Sequence, residues 1–468
     1  MLDTLKTPKA GLLPLYLRLY DDVQPDMRIG AEAFHALIAS RIADAGIETV
    51  NVPVCRVKEE ADDAVSLFET EGVDCVIVLE LSYSPSLEAV YALSRTALPV
   101  ILLAATPDRS IGFDSATTEL IYNQGLLGLQ DLAAMLRRSG KDFTVIPGHP
   151  DDPGFIAETA MTVRAAQLGR RLRSARVGSI GDPFRGMGDI QLGGGKMKEL
   201  LGIEQVKFDL TRDPWRYSML GDAQPSEAEA MADADAAVFG LGLEKKELIE
   251  AERVWLGLRR WTHDNRLDAV TMNFIPQPKN NPFPHVPQLA MSKLMGEGIG
   301  VSGEGDLMSA SLCAALMGVY SDCTTVSMYS PDWQGGTVYL SCRAGVNPRC
   351  LSGRPVICLA DEPLIPELKI SVLTGTLRPG KAAMVSLSPQ EGDRFTLTVI
   401  TGEMLDAPQS SRRKGRVCGW FRPDTPLSDL IRDYSESGGP HHLVLAYGAA
   451  CAFLAKAARL SGFGFIQI

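Results

Sequence analysis

In "GIGVSGEGDLMSASLCAALM", residues 298–317, the pattern changes from that of a strand to that of a helix. The fold is inferred from this change. The residues before Glu304 are small or apolar, as in a buried strand, and those after Asp306 are almost continuously apolar, as in a buried helix. Ligands of open α/β sheets bind beyond the carboxyl ends of the strands. The stretch therefore predicts an α/β sheet with Glu304 at the edge where a ligand would bind.

The same alternation of strand and helix patterns continues toward the N-terminus. Apolar runs at 75–81 and 99–105 alternate with amphipathic helices such as 28–46, which indicates parallel strands buried on both faces. Residues 383–405 instead alternate apolar and polar side chains around a turn, which predicts an antiparallel hairpin. We predict an α/β domain over 1–170, a second α/β domain with the acidic residues over 171–355, and a β-rich domain over 356–468.

Composition excludes several classes of protein. The chain has 468 residues, of which 45% are hydrophobic and 22% charged, and its formal net charge is −11. Without a basic face, nucleic acid is not an expected partner, and no apolar run is long enough to predict a membrane span. The N-terminus lacks a signal-peptide pattern, and the nine cysteines form no C-x-x-C pair. We therefore expect a cytoplasmic protein.

Acidic residues at predicted strand ends have two possible roles. Glu304 and Asp306 precede a helix, and Asp332 lies in "PDWQGG" after another predicted strand. Acidic residues at these positions commonly cap helices. Carboxylates are also the ligands that Mg²⁺ and Mn²⁺ prefer, and Mn²⁺ accepts imidazole in addition. The residues alone do not distinguish helix capping from metal binding.

Histidine and asparagine residues also lie next to predicted strands. His441 and His442 precede the apolar run of "GGPHHLVLAYG", Asn273 ends a predicted strand, and His149 follows another. Neighbouring residues of an extended segment point to opposite faces, so at most one of the paired histidines is expected to enter a given site. A structural role for each of these residues remains an alternative.

Five stretches, taken in order, resemble the family of L-fucose and L-arabinose isomerases. They are "YNQGLLGLQDLAAMLRRSGKDFTVIPGH" (122–149), "RVGSIGDPFRGMGD" (176–189), "SKLMGEGIGVSGEGDLMSASLCAAL" (292–316), "PDWQGGTVYLSCRAGVNP" (331–348) and "GGPHHLVLAYG" (438–448). The resemblance implies two Rossmann-like, doubly wound α/β domains followed by a β-rich, barrel-like domain. It also implies Mn²⁺, or another divalent cation such as Mg²⁺, bound by Glu304, Asp332 and one of the two histidines, with His442 favoured.

The resemblance implies a metal-dependent aldose–ketose isomerase that acts on a sugar or sugar derivative through an enediol. Glu304 and Asp332 are the implied proton-transfer residues, and Trp333 is a candidate apolar wall for the sugar. The further substrate-contact candidates are Gln124, Asn273 and His149. Family members are trimers or hexamers with shared sites, so we expect a homo-oligomer with Gln124 near the metal of a neighbouring subunit.

The chain also departs from the family pattern. The strand "TVYLSCRAG" lacks the histidine ligand of the arabinose enzymes, and Leu127 replaces a histidine that contacts substrate. These departures leave two alternatives open. One is a metal-dependent lyase, decarboxylase or hydrolase that acts on a sugar acid, and the other is a non-catalytic sugar-binding relative.

Overall fold

The computed structural model describes residues 7–219, 225–273, 283–362, 365–408 and 416–468. The chain divides into two compact units, of which one comprises Lys6–Arg170 with Arg459–Gly462 and the other mainly Arg171–Ala458 with Phe463–Ile468. Among the described residues, no helix combines the length and the apolar character that a membrane span requires.

The first unit contains a five-stranded parallel sheet of order β2-β1-β3-β4-β5. Its strands are β1 Lys9–Leu15, β2 Glu48–Asn51, β3 Cys75–Glu80, β4 Val100–Ala104 and β5 Phe143–Pro147. The helices that precede the next sheet are α1 Arg18–Val23, α2 Met27–Asp44, α3 Lys58–Thr70, α4 Val90–Arg95, α5 Thr117–Tyr122, α6 Gly125–Arg138 and α7 Pro153–Arg173. Separate apolar clusters cover the two faces of the sheet. This arrangement confirms the parallel, doubly covered sheet that continuous apolar strands predict.

The second unit begins with a four-stranded parallel sheet of order β10-β9-β6-β7. The strands of this region are β6 Arg176–Ile180, β7 Glu204–Phe208, β8 Gly240–Gly242, β9 Ala269–Met272 and β10 Gly300–Gly303. Its helices are α8 Gly194–Leu201, α9 Asp213–Arg216, α10 Pro225–Val238, α11 Lys245–Asp264, α12 Gln288–Gly296 and α13 Leu307–Met317. Strand β8 does not pair within this sheet but with β13 (Val356–Glu362), which follows later in the chain. Two of its three residues are glycines, which offer no side chains to bury between sheet and helices.

The rest of the second unit is built around a closed barrel. Its strands are β11 Cys323–Asp332, β12 Thr337–Ser341, β13 Val356–Glu362, β14 Ile365–Thr374, β15 Gly380–Gln390, β16 Arg394–Met404, β17 Cys418–Pro423, β18 Leu443–Tyr447 and β19 Gly464–Gln467, and its helices are α14 Leu427–Glu436 and α15 Cys451–Leu460. The order β15-β18-β11-β12-β17-β16 closes through pairing of β16 with β15, and all these pairs are antiparallel. Strand β19 adds to β16 in parallel, and β8, β13 and β14 form a separate small sheet.

The barrel contains the predicted hairpin and two strands of the region predicted as the second α/β domain. Strands β15 and β16 form the predicted hairpin, with Gln390 opposite Arg394. Strands β11 and β12 fall within the predicted second α/β domain, yet they pair with β18 and β17 of the barrel. Their inward residues belong to the barrel core with Phe421 and Leu445. The predicted fold class is confirmed, with Rossmann-like parallel sheets and a barrel, whereas the three-domain boundaries stay a prediction.

Candidate metal centre

Glu304 directly follows β10 and has a left-handed backbone conformation, with φ of +55°. Its N–H donates to the carbonyl of Met272 in β9 (2.9 Å), and its own carbonyl accepts from the N–H of Phe184 (2.8 Å). Positive φ is uncommon for residues other than glycine and concentrates at functional sites. The two hydrogen bonds hold this backbone in place, and the side chain of Glu304 is left largely buried, with the residue 8% exposed.

Asp306 begins α13 and uses both carboxylate oxygens. Oδ1 accepts from the backbone N–H of Ser309 (2.9 Å), which makes Asp306 the N-cap of the helix. Oδ2 lies 2.9 Å from Nδ1 of His442. Asp306 is completely buried. The capping reading is therefore correct, but the same residue also fixes the orientation of the His442 ring.

The paired histidines lie in a bend before β18 and not in an extended strand. The hydroxyl of Tyr434 donates to the carbonyl of Pro440 (2.6 Å). Gly439 packs so closely on the same ring that an added Cβ would lie 2.3 Å from a ring carbon. The turn before the histidines is thus held by one tyrosine and one glycine.

Both histidine rings face Glu304. Nε2 of His442 lies 2.7 Å from Oε2 of Glu304, and Nε2 of His441 lies 3.7 Å from the same oxygen. The two rings lie against each other with their centroids 4.1 Å apart. The expectation that only one histidine would enter the site is wrong, because the bend turns both rings to the same side.

Asp189 lies behind His441 as Asp306 lies behind His442. It is in the short 3₁₀ turn Gly188–Ile190, on the connection that follows β6. Its Oδ2 accepts from the backbone N–H of His441 (3.0 Å) and lies 2.6 Å from Nδ1 of the ring. Each imidazole therefore has a carboxylate at Nδ1 and presents Nε2 to Glu304.

These contacts shift the pKa values of the group. Burial raises the pKa of Glu304, but the nearby imidazole of His441 and the hydrogen bond with His442 outweigh burial and hold the pKa far below its usual value. Burial lowers the pKa of His442, whereas hydrogen bonds with Asp306 and Glu304 raise it to about 9. The nearby carboxylate of Glu304 also raises the pKa of His441. The carboxylate of Glu304 is thus stabilised in the charged form by positive charge on the rings.

The donor set suits a divalent cation. Among the described residues, Glu304, His441 and His442 are the one group of three such side chains whose ligand atoms all lie within 4.8 Å of one another. With both rings neutral, the carboxylates of Glu304, Asp306 and Asp189 leave three negative charges around two imidazoles. A carboxylate with imidazoles is a donor set that Mn²⁺ accepts, and carboxylates behind histidine ligands are common at metal sites.

Asp332 and Trp333 are not part of the group formed by Glu304, His441 and His442. Asp332 is the last residue of β11, at the exposed tip of the β11–β12 hairpin, and its Oδ1 accepts from the N–H of Gly335 (3.0 Å). Trp333 in the turn is 65% exposed. The hairpin belongs to the barrel, so Asp332 does not lie at the carboxyl edge of the parallel sheet as predicted. In the single chain, the contacts of Asp332 do not support a ligand role.

The remaining substrate-contact candidates have structural contacts. Asn273 follows β9 and donates from Nδ2 to the carbonyl of Asp182 (2.7 Å), which supports the connection after β6. In the other unit, Gln124 precedes α6 and donates from Nε2 to the hydroxyl of Tyr20. His149 follows β5, and its Nδ1 accepts from the backbone N–H of Asp151 (3.3 Å). Their predicted substrate contacts stay predictions.

Asp189 is the residue of this group that sequence reasoning missed. It lies within "RVGSIGDPFRGMGD", a stretch that carried the family resemblance, but no spacing rule connects it to His441, which is 252 residues away. Its position after a parallel strand is the one indication that the sequence offered, because such connections line the ligand edge of an α/β sheet.

A cavity of about 210 Å³ opens between the connection after β6 and the first turn of α13. Pro183 and Gly305 form the side next to Glu304, and Gln205 and Lys207 of β7 supply polar groups. Leu307 and Met197 contribute apolar surface. Its lining is therefore mixed polar and apolar, and it includes Gly305, the chain neighbour of Glu304, but not Glu304, His441 or His442.

Parallel α/β sheets, a closed barrel and a buried carboxylate–imidazole group define an α/β protein with a candidate divalent-metal centre. Residues 229–322 match the family of the L-arabinose isomerase central domain. The L-arabinose isomerase of Acidothermus cellulolyticus is 22% identical over 429 residues, which cover 85% of this chain and 81% of that protein. The enzyme of the same name from Tolumonas auensis is 23% identical over 408 residues, which cover 84% and 80%. The chain is thus similar to the L-arabinose isomerases over most of its length, which agrees with the resemblance that its motifs carry.

A periplasmic solute-binding protein from Actinobacillus succinogenes with bound D-allose is 14% identical and covers 66% of this chain and 90% of its own. The TM-score is 0.16, so the similarity carries no argument about this protein.

Proposed function

We propose that the protein is an aldose–ketose isomerase that uses a divalent cation, preferably Mn²⁺, bound by Glu304 and His442. The observation that carries the proposal is the buried contact of 2.7 Å between Glu304 Oε2 and His442 Nε2, with Asp306 on the far side of the ring. The names of the relatives support isomerisation of a sugar. The substrate is proposed as a sugar or a sugar derivative.

A bound divalent cation supplies Lewis-acid stabilisation of negative charge on the sugar oxygens. Glu304 is the proposed base, which takes the proton from C2 of the aldose and returns it to C1 through an enediol, while the proton of the O2 hydroxyl passes to O1. Its Oε2 faces both imidazoles, so we assign proton transfer to Oε1. A positioned carboxylate of this kind typically contributes roughly 10²–10⁴-fold to the rate.

The surroundings of Glu304 provide the other requirements of the reaction. Asp306 keeps Nδ1 of His442 occupied, so that Nε2 is the ring nitrogen presented to the site. The half-exposed side chain of His441 marks the accessible side of this group of residues, where we place the sugar. Burial of Glu304 limits access of water to the base.

The test uses the full chain, freed of metal with a chelator and incubated with a panel of aldopentoses and aldohexoses. With Mn²⁺ restored, a ketose of the same mass should form, and without metal none should. A Glu304→Gln variant should fold normally, lose turnover and bind Mn²⁺ more weakly, because a neutral amide is a weaker ligand.

The matched control is Glu199→Gln, which changes an exposed acid of α8 and should retain full turnover. Fragments of lower mass would instead favour a lyase. Turnover by Glu304→Gln that equals the wild-type rate would remove Glu304 as the base.

A further inference from the structure

We propose that His441 is a second imidazole ligand of the metal and that Asp189 is the residue that positions it. This proposal rests on the proposed function only for the presence of a metal at Glu304 and His442. It replaces the predicted ligand Asp332 with a residue that the structure holds beside Glu304.

The need for a third ligand follows from the position of Asp332. If Asp332 is not a ligand, Glu304 and His442 supply only two protein ligands. Catalytic metal sites commonly use three and leave a position open for water or substrate. His441 is the residue that completes the three-membered group within 4.8 Å. One carboxylate with two imidazoles is an established facial arrangement for divalent metals with open positions.

The distances agree with this assignment. Nε2 of His441 and Oε2 of Glu304 are 3.7 Å apart, which is too long for a hydrogen bond. Two ligands of one cation lie roughly 3.0–3.5 Å apart when each bond is roughly 2.1 Å long. Small movements of the two side chains would therefore accommodate an ion between them.

Asp189 gives His441 the orientation that ligation requires. One oxygen, Oδ2, holds both the backbone N–H (3.0 Å) and ring Nδ1 (2.6 Å) of His441. The ring cannot rotate without breaking the second contact, so Nε2 stays on the side of Glu304. Asp306 does the same for His442 from a different connection of the sheet. Two carboxylates behind two imidazoles are the arrangement expected of a metal centre.

The half-exposed position of His441 supports a role at the open side of the centre. The His441 side chain is 40% exposed and that of His442 is 5% exposed. A ligand at the buried side anchors the ion, whereas one at the accessible side borders the positions that substrate would occupy. His441 is therefore expected to be the ligand nearest the bound sugar.

The experiment compares Mn²⁺ binding by the full-length wild-type chain, His441→Ala, Asp189→Ala and Asp189→Asn, with calorimetry for affinity and electron spin-echo spectroscopy of the ion to count bound imidazoles. Wild type should show two imidazole nitrogens and His441→Ala one. Asp189→Ala should lower the affinity about 10–100-fold, as loss of such supporting carboxylates does. Asp189→Asn keeps an acceptor oxygen and should lose less.

A double variant separates positioning from general support of the fold. In the His441→Ala background, Asp189→Ala should cause no further loss of affinity, because its target is already absent. Additive losses would show that Asp189 acts only on the fold. The matched control is Asp433→Ala, which removes an exposed carboxylate of α14 close to the histidine segment and should leave Mn²⁺ affinity unchanged.

The outcomes distinguish this inference from the proposed function. Two imidazole nitrogens in His441→Ala, or unchanged affinity in both alanine variants, would overturn the inference alone. Loss of one nitrogen in an enzyme that isomerises no sugar would support the inference and overturn the proposed function. A wild-type chain that binds no Mn²⁺ would overturn the inference and the proposed metal together.

Discussion

Asp306 links helix stability to the metal centre through a single side chain. Its Oδ1 caps α13 at Ser309, and its Oδ2 orients His442. A serine at this position can cap the helix equally well, but its shorter side chain cannot hold Nδ1 of the histidine. The two roles are therefore separable by substitution.

We predict that Asp306→Ser and Asp306→Ala both lower Mn²⁺ affinity about 10–100-fold, since both remove the support of His442. Asp306→Ala should in addition be less stable than Asp306→Ser by about 1 kcal/mol, the typical contribution of an N-cap. Urea unfolding and calorimetry measure the two quantities. Equal Mn²⁺ affinity in Asp306→Ser and wild type would contradict the orienting role.

Glu80 is a second buried acid, in the other unit. It ends β3, and an added Cβ at Gly128 of α6 would lie 2.6 Å from its Oε2. Burial raises the pKa of Glu80 well above its usual value, and the charge of Asp131 raises it further. The folded chain therefore keeps this carboxyl protonated at pH values where the unfolded chain has released the proton.

We predict that Glu80→Gln becomes more stable relative to wild type as the pH rises. A raised pKa in the folded state gives stability that is complete below the unfolded pKa of about 4.3 and is lost as the pH increases toward the folded pKa. Urea unfolding at pH 5 and pH 8 measures the change, with Glu69→Gln on an exposed part of α3 as the control. An equal pH dependence of wild type and Glu80→Gln would show that the carboxyl ionises normally.

At the scale of elements, the contact between β10 and α13 determines where Glu304 and Asp306 lie. Gly300 faces the helix backbone so closely that an added Cβ would be 2.4 Å from the nitrogen of Ala314 and 2.5 Å from the carbonyl oxygen of Ala310. Backbone atoms of a helix cannot move individually to make room. The strand–turn–helix unit therefore depends on a glycine at this position.

We predict that Gly300→Ala destabilises the chain by about 1–3 kcal/mol, the usual cost of overpacking, and weakens Mn²⁺ binding because α13 carries Asp306 at its start. Gly195→Ala is the control, since an added Cβ there meets nothing within 4 Å and α8 gains a better helix former. Thermal unfolding and calorimetry provide the comparison. If Gly300→Ala were as stable as Gly195→Ala, the close packing would not constrain the site.

At the scale of the whole molecule, we predict a homo-oligomer, as the family resemblance implies, with a trimer or hexamer expected. A stable interface should bury more than roughly 1,000 Å², and Gln124 should contact substrate in the site of a neighbouring subunit. Light scattering measures the assembly, and Gln124→Ala should raise KM more than it lowers kcat. A fully active monomer would contradict both the assembly and the role of Gln124.

The amino-acid sequence by itself determined the fold class and the hairpin of β15 and β16, and it pointed to Glu304 as a candidate site residue. These features depend on local information: apolar periodicity, turn residues, and acids at the change from strand to helix. Glu304 could be predicted in this way because neighbouring residues indicate where a parallel strand ends, and ligands bind at that edge of the sheet.

The partners of Glu304 were decided only by tertiary structure. The barrel takes β11 and β12 and leaves Asp332 at an exposed hairpin tip, while a bend turns both His441 and His442 toward Glu304. Asp189 reaches His441 across 252 residues of chain. Strand pairing and side-chain contacts over such separations result from packing of the whole unit, so no local pattern specifies them.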